Sequence, residues 1–345
     1  MSGDVKQSLF FKLENEKDYK RFLLENKDAF YGVIKEEDYN AFISSAKKEY
    51  LDCLLSLYNK HGIKAVTIES EDYPEELKET DCPPLVLYAK GDLGLLKTEK
   101  FSIVGSRKSL PMSINTAKEF ATSLSESFTL ITGIAEGIDS AVLNETLSLG
   151  RKVISVIAGG FFNIYPKSNT SLFELVSIKG LALSENPPTV KPKPYFFPKR
   201  NRIIAGLGKG TLIVNGGEKS GVYSTAEYAG IYGKDIFAIP YGINIPSGIA
   251  PNRIIRDGGI LTTSPEDILE FYGIEKNKKE TPDFSEEEKE IIDCIKDQPK
   301  HVDLICEELK KEIFIIMPYI TMLEIKGYIV KNGVNTYGIA KRTEK

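Results

Sequence analysis

The spacing of apolar residues changes twice along the chain. Up to about residue 70, apolar side chains recur every three or four positions, as in residues 19–24 and 50–58, which is the period of a helix that buries one face. From Lys100 onward, short β-branched runs alternate with glycine-rich turns and amphipathic stretches. Beyond a charged stretch at residues 273–284, three more helical patterns precede a hairpin pattern. The chain therefore divides into a helical segment, an α/β segment and a small C-terminal segment.

The middle segment predicts a layered fold. Its predicted strands span residues 101–105, 129–132, 153–158, 181–184, 211–215 and 235–240. Its predicted helices lie near residues 113–127, 139–149, 200–207 and 223–232. Apolar strands that alternate with helices form largely parallel sheets covered on both faces. We therefore predict an α/β fold with a Rossmann-like, doubly wound, largely parallel sheet.

The domain boundaries are predicted from the same changes in pattern. A small N-terminal helical domain is expected at residues 1–70, the Rossmann-like domain with its N-terminal extension at 71–272, a linker at 273–284 and a C-terminal winged-helix-like domain at 285–345. In the last domain, Asn332-Gly333 predicts the hairpin turn. Its third helix, near residues 314–326, is apolar where a reader of DNA bases would carry Arg, Lys, Asn or Gln. This favours a protein-contact or regulatory module over a base reader.

The composition limits where the protein acts and what it binds. No apolar run is long enough to cross a bilayer, and the apolar part of residues 1–10 is too short for a signal peptide, so we expect a cytoplasmic protein with no membrane partner. The four cysteines and two histidines form no metal-ligand pattern, and neither a metal nor another cofactor is expected. The net charge of −4 argues against indiscriminate coating of nucleic acid. Any phosphate binding must therefore be local.

One window of the sequence has the opposite charge balance. Residues 187–216 hold no Asp or Glu, and this window interleaves Lys191, Lys193, Lys199, Arg200, Arg202 and Lys209 with Tyr195, Phe196 and Phe197. Cationic groups bind phosphates and aromatic faces stack on unpaired bases, so this mixture suits single-stranded nucleic acid. The alternative interpretation is a solvated basic loop in which one or two of the aromatic side chains belong to the core.

A series of motifs accompanies this window. They are Tyr73-Pro74, Gly105-Ser106-Arg107, the stretch from Gly133 to Asp139, Tyr165-Pro166 with Asn169, Ser184-Glu185, the run from Phe197 to Leu207, Ser220-Gly221 with Thr225-Ala226, and Phe237 to Pro240. In this order and spacing, the motifs resemble those of the DprA/Smf (DNA-processing protein A) family, from about Tyr73 to Tyr272. The resemblance implies a protein that binds incoming single-stranded DNA without strong sequence preference and helps load the RecA recombinase. It also implies a homodimer that forms through the Rossmann-like domain, and a SAM-like domain at the N-terminus.

The turn at residues 105–107 is the first candidate contact. It follows a predicted strand and precedes a helix, a position where backbone N–H groups and the helix dipole attract anions. In the family that the chain resembles, the arginine of this turn contacts DNA, which assigns that role to Arg107. The alternative is that Gly105 only permits the turn and Arg107 is solvated.

The remaining DNA-binding candidates come from two other loops, at residues 167–169 and 196–202. Lys199, Arg200 and Arg202 are predicted to bind phosphates, Phe196 or Phe197 to stack on a base, and Lys167 with Asn169 to extend the same edge. Asn201 and Arg202 could instead fasten the loop to backbone carbonyls. The complete DNA-binding set is Gly105, Ser106, Arg107, Lys167, Asn169, Phe196, Phe197, Lys199, Arg200, Asn201 and Arg202.

A glycine-rich loop supplies the competing hypothesis. Gly216, Gly217, Ser220, Gly221 and Thr225 form a third strand–loop–helix pattern that could hold a phosphate. The DprA pattern usually has Glu-Ala at positions 215 and 216, and the loop of this chain instead resembles that of nucleoside-monophosphate phosphoribohydrolases. A nucleotide-binding or phosphoribohydrolase-like enzyme is therefore the alternative function. Glycosidic cleavage normally needs two carboxylates that flank the scissile bond, and Glu136 and Glu227 are the only candidates for these two roles.

Two acidic residues in the stretch from Gly133 to Asp139 have different roles. Asp139 is placed to accept a backbone N–H at a helix start, and we interpret it as structural. Glu136 stands where the DprA family usually has Arg or Lys, so either the DNA path shifts at this position or the affinity is lower. With no Walker A loop and no Ser-His-Asp set in the Rossmann-like segment, we expect a binding protein without turnover.

Overall fold

The computed structural model describes residues 48–274 and 284–339. The chain divides into two compact units, Met1–Ile274 and Glu275–Lys345, and the division falls inside the predicted linker. The first predicted helical stretch, residues 19–24, lies outside the described residues. Among the described residues, no helix is long and apolar enough to cross a membrane.

The first unit is built on a nine-stranded sheet. Its strands are β1 (Ile63–Thr67), β2 (Val86–Gly91), β3 (Lys100–Val104), β4 (Thr129–Thr132), β5 (Val153–Ile157), β6 (Leu181–Ser184), β7 (Gly210–Ile213), β8 (Asp235–Ala238) and β9 (Ile260–Leu261). Every residue of β3, β4, β5, β6 and β7 is buried. Such strands need apolar side chains on both faces, which explains their continuous β-branched runs.

The strand order creates a switch point in the sheet. The order is β1-β2-β6-β5-β4-β3-β7-β8-β9, and all pairs from β6 to β9 are parallel. The chain builds outward from β3 through β4, β5 and β6, then returns to place β7 on the other side of β3. In open α/β sheets, the crevice at such a reversal lies outside the carboxyl ends of the strands and is the usual ligand site.

Helices cover both faces of the sheet. They are α1 (Lys48–Lys60), α2 (Glu75–Lys78), α3 (Pro111–Leu124), α4 (Ile138–Ser148), α5 (Thr170–Lys179), α6 (Phe196–Leu207), α7 (Val222–Ile231), α8 (Ile249–Arg256) and α9 (Pro265–Phe271). One apolar core contains Phe101, Phe120 and Phe173, and a second on the opposite face contains Ile203, Ile204 and Ile213. The predicted doubly wound, largely parallel α/β fold is confirmed.

Helix starts follow the local sequence signals. Pro111 occupies the first turn of α3, where its missing N–H costs nothing. At the start of α9, Asp267 accepts the backbone N–H of Ser264 at 3.0 Å, and Pro265 follows the cap. Ser264 and Asp267 therefore cap the start of this helix.

Two parts of the sequence-based assignment are wrong. Residues 63–67, within the predicted helical segment, form β1, which pairs antiparallel with β2 and joins the same sheet. The helix α5 is absent from the predicted elements, and α6 begins at Phe196, before the predicted residue 200. These elements are short or only weakly periodic, so tertiary packing decides them.

The second unit has its own small core. It contains α10 (Glu286–Ile295), β10 (Lys300–His301), α11 (Val302–Leu309), α12 (Ile313–Ile325), β11 (Ile329–Gly333) and β12 (Thr336–Ile339). The three predicted helices and the hairpin are present, and the strands form a three-stranded sheet in the order β10-β12-β11. The hairpin turns at Val334-Asn335 and not at Asn332-Gly333, because Gly333 pairs with Thr336 and Asn335 takes the positive φ of 50°.

Candidate nucleic-acid interface

A cleft of about 410 Å³ opens at the switch point between β3 and β7. Four segments line it: the turn after β3, the turn after β4 with the start of α4, the part of α6 up to Ile204, and the start of α7. These segments carry Gly105 to Arg107, Ala135 with Asp139, Phe197 to Asn201, and Ser220 to Thr225. The fold thus brings together four of the sequence motifs that lie far apart in the chain.

The turn after β3 is held by Asn215, which follows β7. The Ser106 backbone N–H donates to Asn215 Oδ1 at 2.8 Å, and the Ser109 hydroxyl donates to the Ser106 carbonyl at 2.8 Å. Asn215 is fully buried. The amide of Ser106, predicted as an anion donor, is therefore already bonded, and the turn presents the exposed side chains of Arg107 and Lys108 instead.

A cation–aromatic cluster, formed by Arg107, Phe197 and Tyr165, stands at the mouth of the cleft. The Arg107 guanidinium lies 4.7 Å from the centre of the Phe197 ring. The Tyr165 ring meets Phe197 edge-on at 5.9 Å and is 53% exposed. Phe196 packs against Tyr195 and does not line the cleft. Of the two predicted stacking residues, Phe197 is therefore the one at the cleft. Tyr165 is a further aromatic residue beside Phe197 and is not in the predicted DNA-binding set.

Arg200 forms a buried charge pair with Asp139 beneath the cleft. Both side chains are buried, and Arg200 also donates to the Val156 carbonyl. Asp139 accepts the Thr132 hydroxyl and the Ala135 N–H, both at 3.1 Å. Burial raises the pKa of the Asp139 carboxyl, and Arg200 opposes that rise. Burial likewise lowers the pKa of Arg200, and Asp139 opposes that fall. The structural role predicted for Asp139 agrees with these contacts.

Arg202 lies in the interior as well. It is only 4% exposed and donates to Glu185, which is also buried. Glu185 Oε1 is shared with Lys199 at 3.1 Å, and the Lys199 side chain is 40% exposed. This corrects the predicted placement of Arg200 and Arg202 as surface phosphate ligands. Lys199 is the one member of that trio that reaches the surface.

Asn201 joins the two walls of the cleft. Its side-chain N–H groups donate to Ser224 Oγ at 2.9 Å and to the Gly221 carbonyl at 3.3 Å. Its carbonyl oxygen accepts the Nε–H of Arg200 at 3.1 Å. The predicted fastening role therefore falls to Asn201, and it links α6 to the loop before α7.

Only part of the glycine-rich loop faces the cleft. Gly216 donates its N–H to Ser247 at 2.7 Å and accepts from Ala250 at 2.9 Å, and a Cβ there would come within 2.7 Å of Val222. Gly216 therefore packs the loop and offers no amide to a phosphate, contrary to its prediction. Gly217 does not line the cleft, whereas Ser220, Gly221 and the buried Thr225 do.

The loop that carries Tyr165 is fixed to the turn after β4. Asn169 donates to the Ile134 carbonyl at 2.8 Å, and the Ser168 hydroxyl donates to Glu136 Oε1 at 2.9 Å. Asn169 is thus a positioning residue. Lys167 is exposed on the same loop and is not among the residues that line the cleft.

The charge around the cleft is positive at its entrance. Among the described residues, Arg107 and Lys108 form no salt bridge, although Arg107 lies near enough to the buried Asp139 to oppose the rise in its pKa. The acids Glu185 and Glu218 are each paired with a cation. Glu227 lines a different cleft, between α7 and the end of α8, and not the one that Ala135 and Asp139 line. In the described part of the chain, no group of three or more His, Cys, Asp or Glu residues could hold a metal ion.

The features that sequence reasoning missed are of two kinds. Asn215 and the Arg200–Asp139 pair act across elements that are distant in sequence, and no local pattern marks such contacts. Tyr165, in contrast, has a usable signal, because an aromatic residue followed by proline in a loop beyond a predicted strand points to the ligand edge.

The fold and the cleft define a doubly wound α/β protein of the class that binds phosphate-containing ligands at a switch point. A family model described as DNA recombination-mediator protein A matches residues 64–273, more than half of the chain. The chain therefore belongs to this family, which confirms the resemblance to DprA/Smf.

Relatives and solved structures agree with this assignment. The chain is 37% identical over 233 residues to the DNA processing protein DprA of Bacillus subtilis, which covers 67% of this chain and 78% of the relative. It is 32% identical over 290 residues to Protein Smf of Escherichia coli, covering 80% and 77%.

Two solved structures show the same fold. DNA processing protein A of Streptococcus pneumoniae superposes with a TM-score of 0.61 at 29% identity, over 76% of this chain and 95% of that one. DNA processing protein A of Helicobacter pylori, solved for its single-stranded DNA binding mode, gives a TM-score of 0.55 at 26% identity, over 61% and 95%.

Proposed function

We propose that the chain binds single-stranded DNA at the switch-point cleft, with affinity that comes mainly from phosphates and base stacking. The observation that carries this proposal is the cation–aromatic cluster, which places the exposed guanidinium of Arg107 against Phe197, whose ring also meets the exposed Tyr165. Family membership and the single-stranded DNA binding of the Helicobacter pylori relative support it. Stacking needs base faces that a duplex keeps covered, so a single strand is preferred.

The contacts are assigned by exposure. Arg107, Lys108, Lys167 and Lys199 neutralise phosphates around the entrance, with Lys199 shared between the strand and Glu185. Tyr165 and Phe197 stack on bases. Within the cleft, the N-terminal end of α7 offers Ser220, Gly221 and Thr225 to a phosphate, since helix N-termini attract anions. Arg200, Asn201 and Arg202 hold these groups in place from below.

The test is a titration of labelled single-stranded and double-stranded oligonucleotides over a series of salt concentrations. For Arg107→Ala we expect weaker single-strand binding for all sequences. We also expect a smaller salt slope, which is the fall in the logarithm of the binding constant with the logarithm of the salt concentration, by about 0.7 for each phosphate that the variant no longer neutralises. Arg256→Ala is the matched control, because that side chain is 72% exposed and pairs with Asp257 away from the cleft-lining residues. Equal slopes in the two variants would contradict the proposal.

The biological role we propose is to protect incoming DNA and to help load RecA during natural transformation and recombination, in the cytoplasm. Membership in the recombination-mediator family supports this role. RecA-dependent strand exchange on protein-coated single strands should start sooner with the wild-type protein than with Arg107→Ala. An equal lag for the two proteins would count against the loading role.

We also propose that two copies associate through the first unit. At the end of α7, Ile231 is 58% exposed, and the ring of Tyr228 stacks at 5.9 Å on that of Tyr232, the residue that follows the helix. An apolar, exposed helix position of this kind fits an interface between copies. Ile231→Glu should shift the mass measured by light scattering toward the monomer, and a monomeric wild type would refute the proposal.

A binding protein without turnover fits the cleft better than a phosphoribohydrolase. The enzyme would need two carboxylates at one site, yet Glu227 lines another cleft and Glu136 is not among the residues that line this one. Release of free base from nucleoside monophosphates, abolished by Glu227→Gln, would establish the enzyme instead.

A further inference from the structure

Glu136 is the exception among the acidic residues at the carboxyl edge of the sheet. In the loops that follow β3, β4, β5, β6, β7 and β8, the other acids are Glu185 and Glu218, and both are paired with cations. Glu136 is exposed, and its bonding partner among the described residues is the neutral hydroxyl of Ser168. An uncompensated carboxylate therefore stands at an edge whose other free charges are positive.

The position of Glu136 is fixed by its neighbours on both sides. Its Oε1 accepts the Ser168 hydroxyl at 2.9 Å, which ties it to the loop that carries Tyr165. The next residue, Gly137, has a φ of 79° and packs against the Arg107 backbone, where an added Cβ would lie 2.5 Å from the Arg107 carbonyl oxygen. Glu136 is thus bonded to the loop that carries Tyr165, and through Gly137 it adjoins the turn that carries Arg107.

The chemistry of a carboxylate decides what can bind there. It repels phosphates, and it accepts hydrogen bonds but donates none. An unpaired base that stacks on an exposed aromatic ring presents its Watson–Crick edge to such neighbours. Guanine offers two adjacent donors on that edge, the ring N1–H and the N2 amino group, which match the two oxygens of a carboxylate. Thymine offers one N–H between two carbonyl oxygens, and these oxygens repel a carboxylate.

We propose that Glu136 reads the Watson–Crick edge of an unpaired guanine stacked on Tyr165, and so adds a base preference to phosphate-dominated binding. This inference rests on the proposed binding of single-stranded DNA at the same cleft. Glu136 is then a specificity-determining residue, and the phosphates on either side of that guanine contact Arg107 and Lys167.

The test uses the full chain and four short oligonucleotides: oligothymidylate, the same strand with guanines at alternate positions, and two analogues of that strand. One analogue carries inosine, which lacks the N2 amino group, and the other carries 7-deazaguanine, which lacks the N7 acceptor that an arginine would use. Affinities are measured by fluorescence anisotropy for the wild type, Glu136→Ala and Glu227→Ala. The last variant removes an equal charge from an exposed site on a different cleft.

For the wild type we expect about fivefold tighter binding of the guanine strand than of oligothymidylate, the lower end of the discrimination that a bidentate side chain provides. The preference should persist with 7-deazaguanine and fall with inosine. Glu136→Ala should bind oligothymidylate more tightly, since the repulsion is gone, and should lose the preference, while Glu227→Ala keeps it.

The outcomes separate this inference from the proposed function. Equal affinity of the wild type for the guanine strand and oligothymidylate would overturn the inference, as would a preference that survives in Glu136→Ala. If the wild type binds none of the strands, the proposed function itself fails.

Discussion

Replacing Arg202 separates a structural role from a DNA-binding one. The change Arg202→Met keeps an apolar stem of similar length but removes the guanidinium that bonds Glu185 in the interior. Removing one partner of a buried ion pair costs about 3–5 kcal/mol, because the other charge is left uncompensated. Here Lys199 stays 3.1 Å from the same carboxylate oxygen, so the cost should lie near the lower end, at about 3 kcal/mol.

This decrease in stability should be measurable in the melting temperature. For a unit of this size, 1 kcal/mol corresponds to about 2–4 °C, which gives a decrease of about 6–12 °C for Arg202→Met. Unfolding is followed by far-ultraviolet circular dichroism, beside Arg256→Met as the surface control, for which we expect less than about 1 kcal/mol. Adding Glu185→Gln to Arg202→Met should restore part of the stability, because the stranded carboxylate is then neutral.

The DNA titration completes the comparison. An interior arginine neutralises no phosphate, so folded Arg202→Met should keep the wild-type salt slope. A variant as stable as the wild type, with a slope smaller by about 0.7, would show that Arg202 is a phosphate ligand at the protein surface.

Three further predictions concern the stack, the buried acid and the second unit. Tyr165→Ala should weaken single-strand binding by about 1–3 kcal/mol in a titration, more than Tyr195→Ala does, because Tyr165 adjoins the cleft; equal decreases would argue against this assignment. Burial raises the pKa of Asp139, so its folded form holds a proton more tightly than the unfolded chain, and stability should fall as pH rises from the ordinary pKa through the raised one. Urea unfolding should therefore show the wild type losing stability relative to Asp139→Asn as pH rises through that window, and the opposite trend would refute the assigned direction. Deletion of residues 285–345 should leave most single-strand affinity intact, because that unit has a separate core and the exposed positions of α12 include Phe314 and Ile325 rather than cations; a folded truncation that no longer binds would contradict this.

The sequence predicts the sheet well because its central strands are buried on both faces. Runs such as residues 153–157 are apolar or small throughout, and few structures besides a fully buried strand require such a run. The sequence does not predict the edge strand β1, because buried and exposed positions alternate irregularly in Ile63–Thr67 and these residues directly follow a helix. Its partner β2 lies about twenty residues away, and only tertiary pairing determines such a strand.

The sequence predicts only part of the candidate site, because the burial of a cationic side chain also depends on tertiary contacts. A basic window reveals which residues are cationic but not which of them are buried, and the structure divides Lys199 from Arg200 and Arg202 on that basis. Their burial depends on Asp139 and Glu185, which the sequence places about sixty and fifteen residues earlier. Arg107 needs no such partner, because a residue after a strand and before a helix faces the ligand edge by topology.

The most direct test of the central claim is to find where a single strand lies on the protein. A single-stranded oligonucleotide carrying photoreactive 5-iodouracil is cross-linked to the full chain, and the attached peptides are mapped by mass spectrometry. We predict attachment to Tyr165 or Phe197, which unlabelled single strands abolish by competition and which is reduced in Arg107→Ala. Attachment confined to residues 284–339, or to the face of α7 that carries Ile231, would show that the switch-point cleft is not the DNA site.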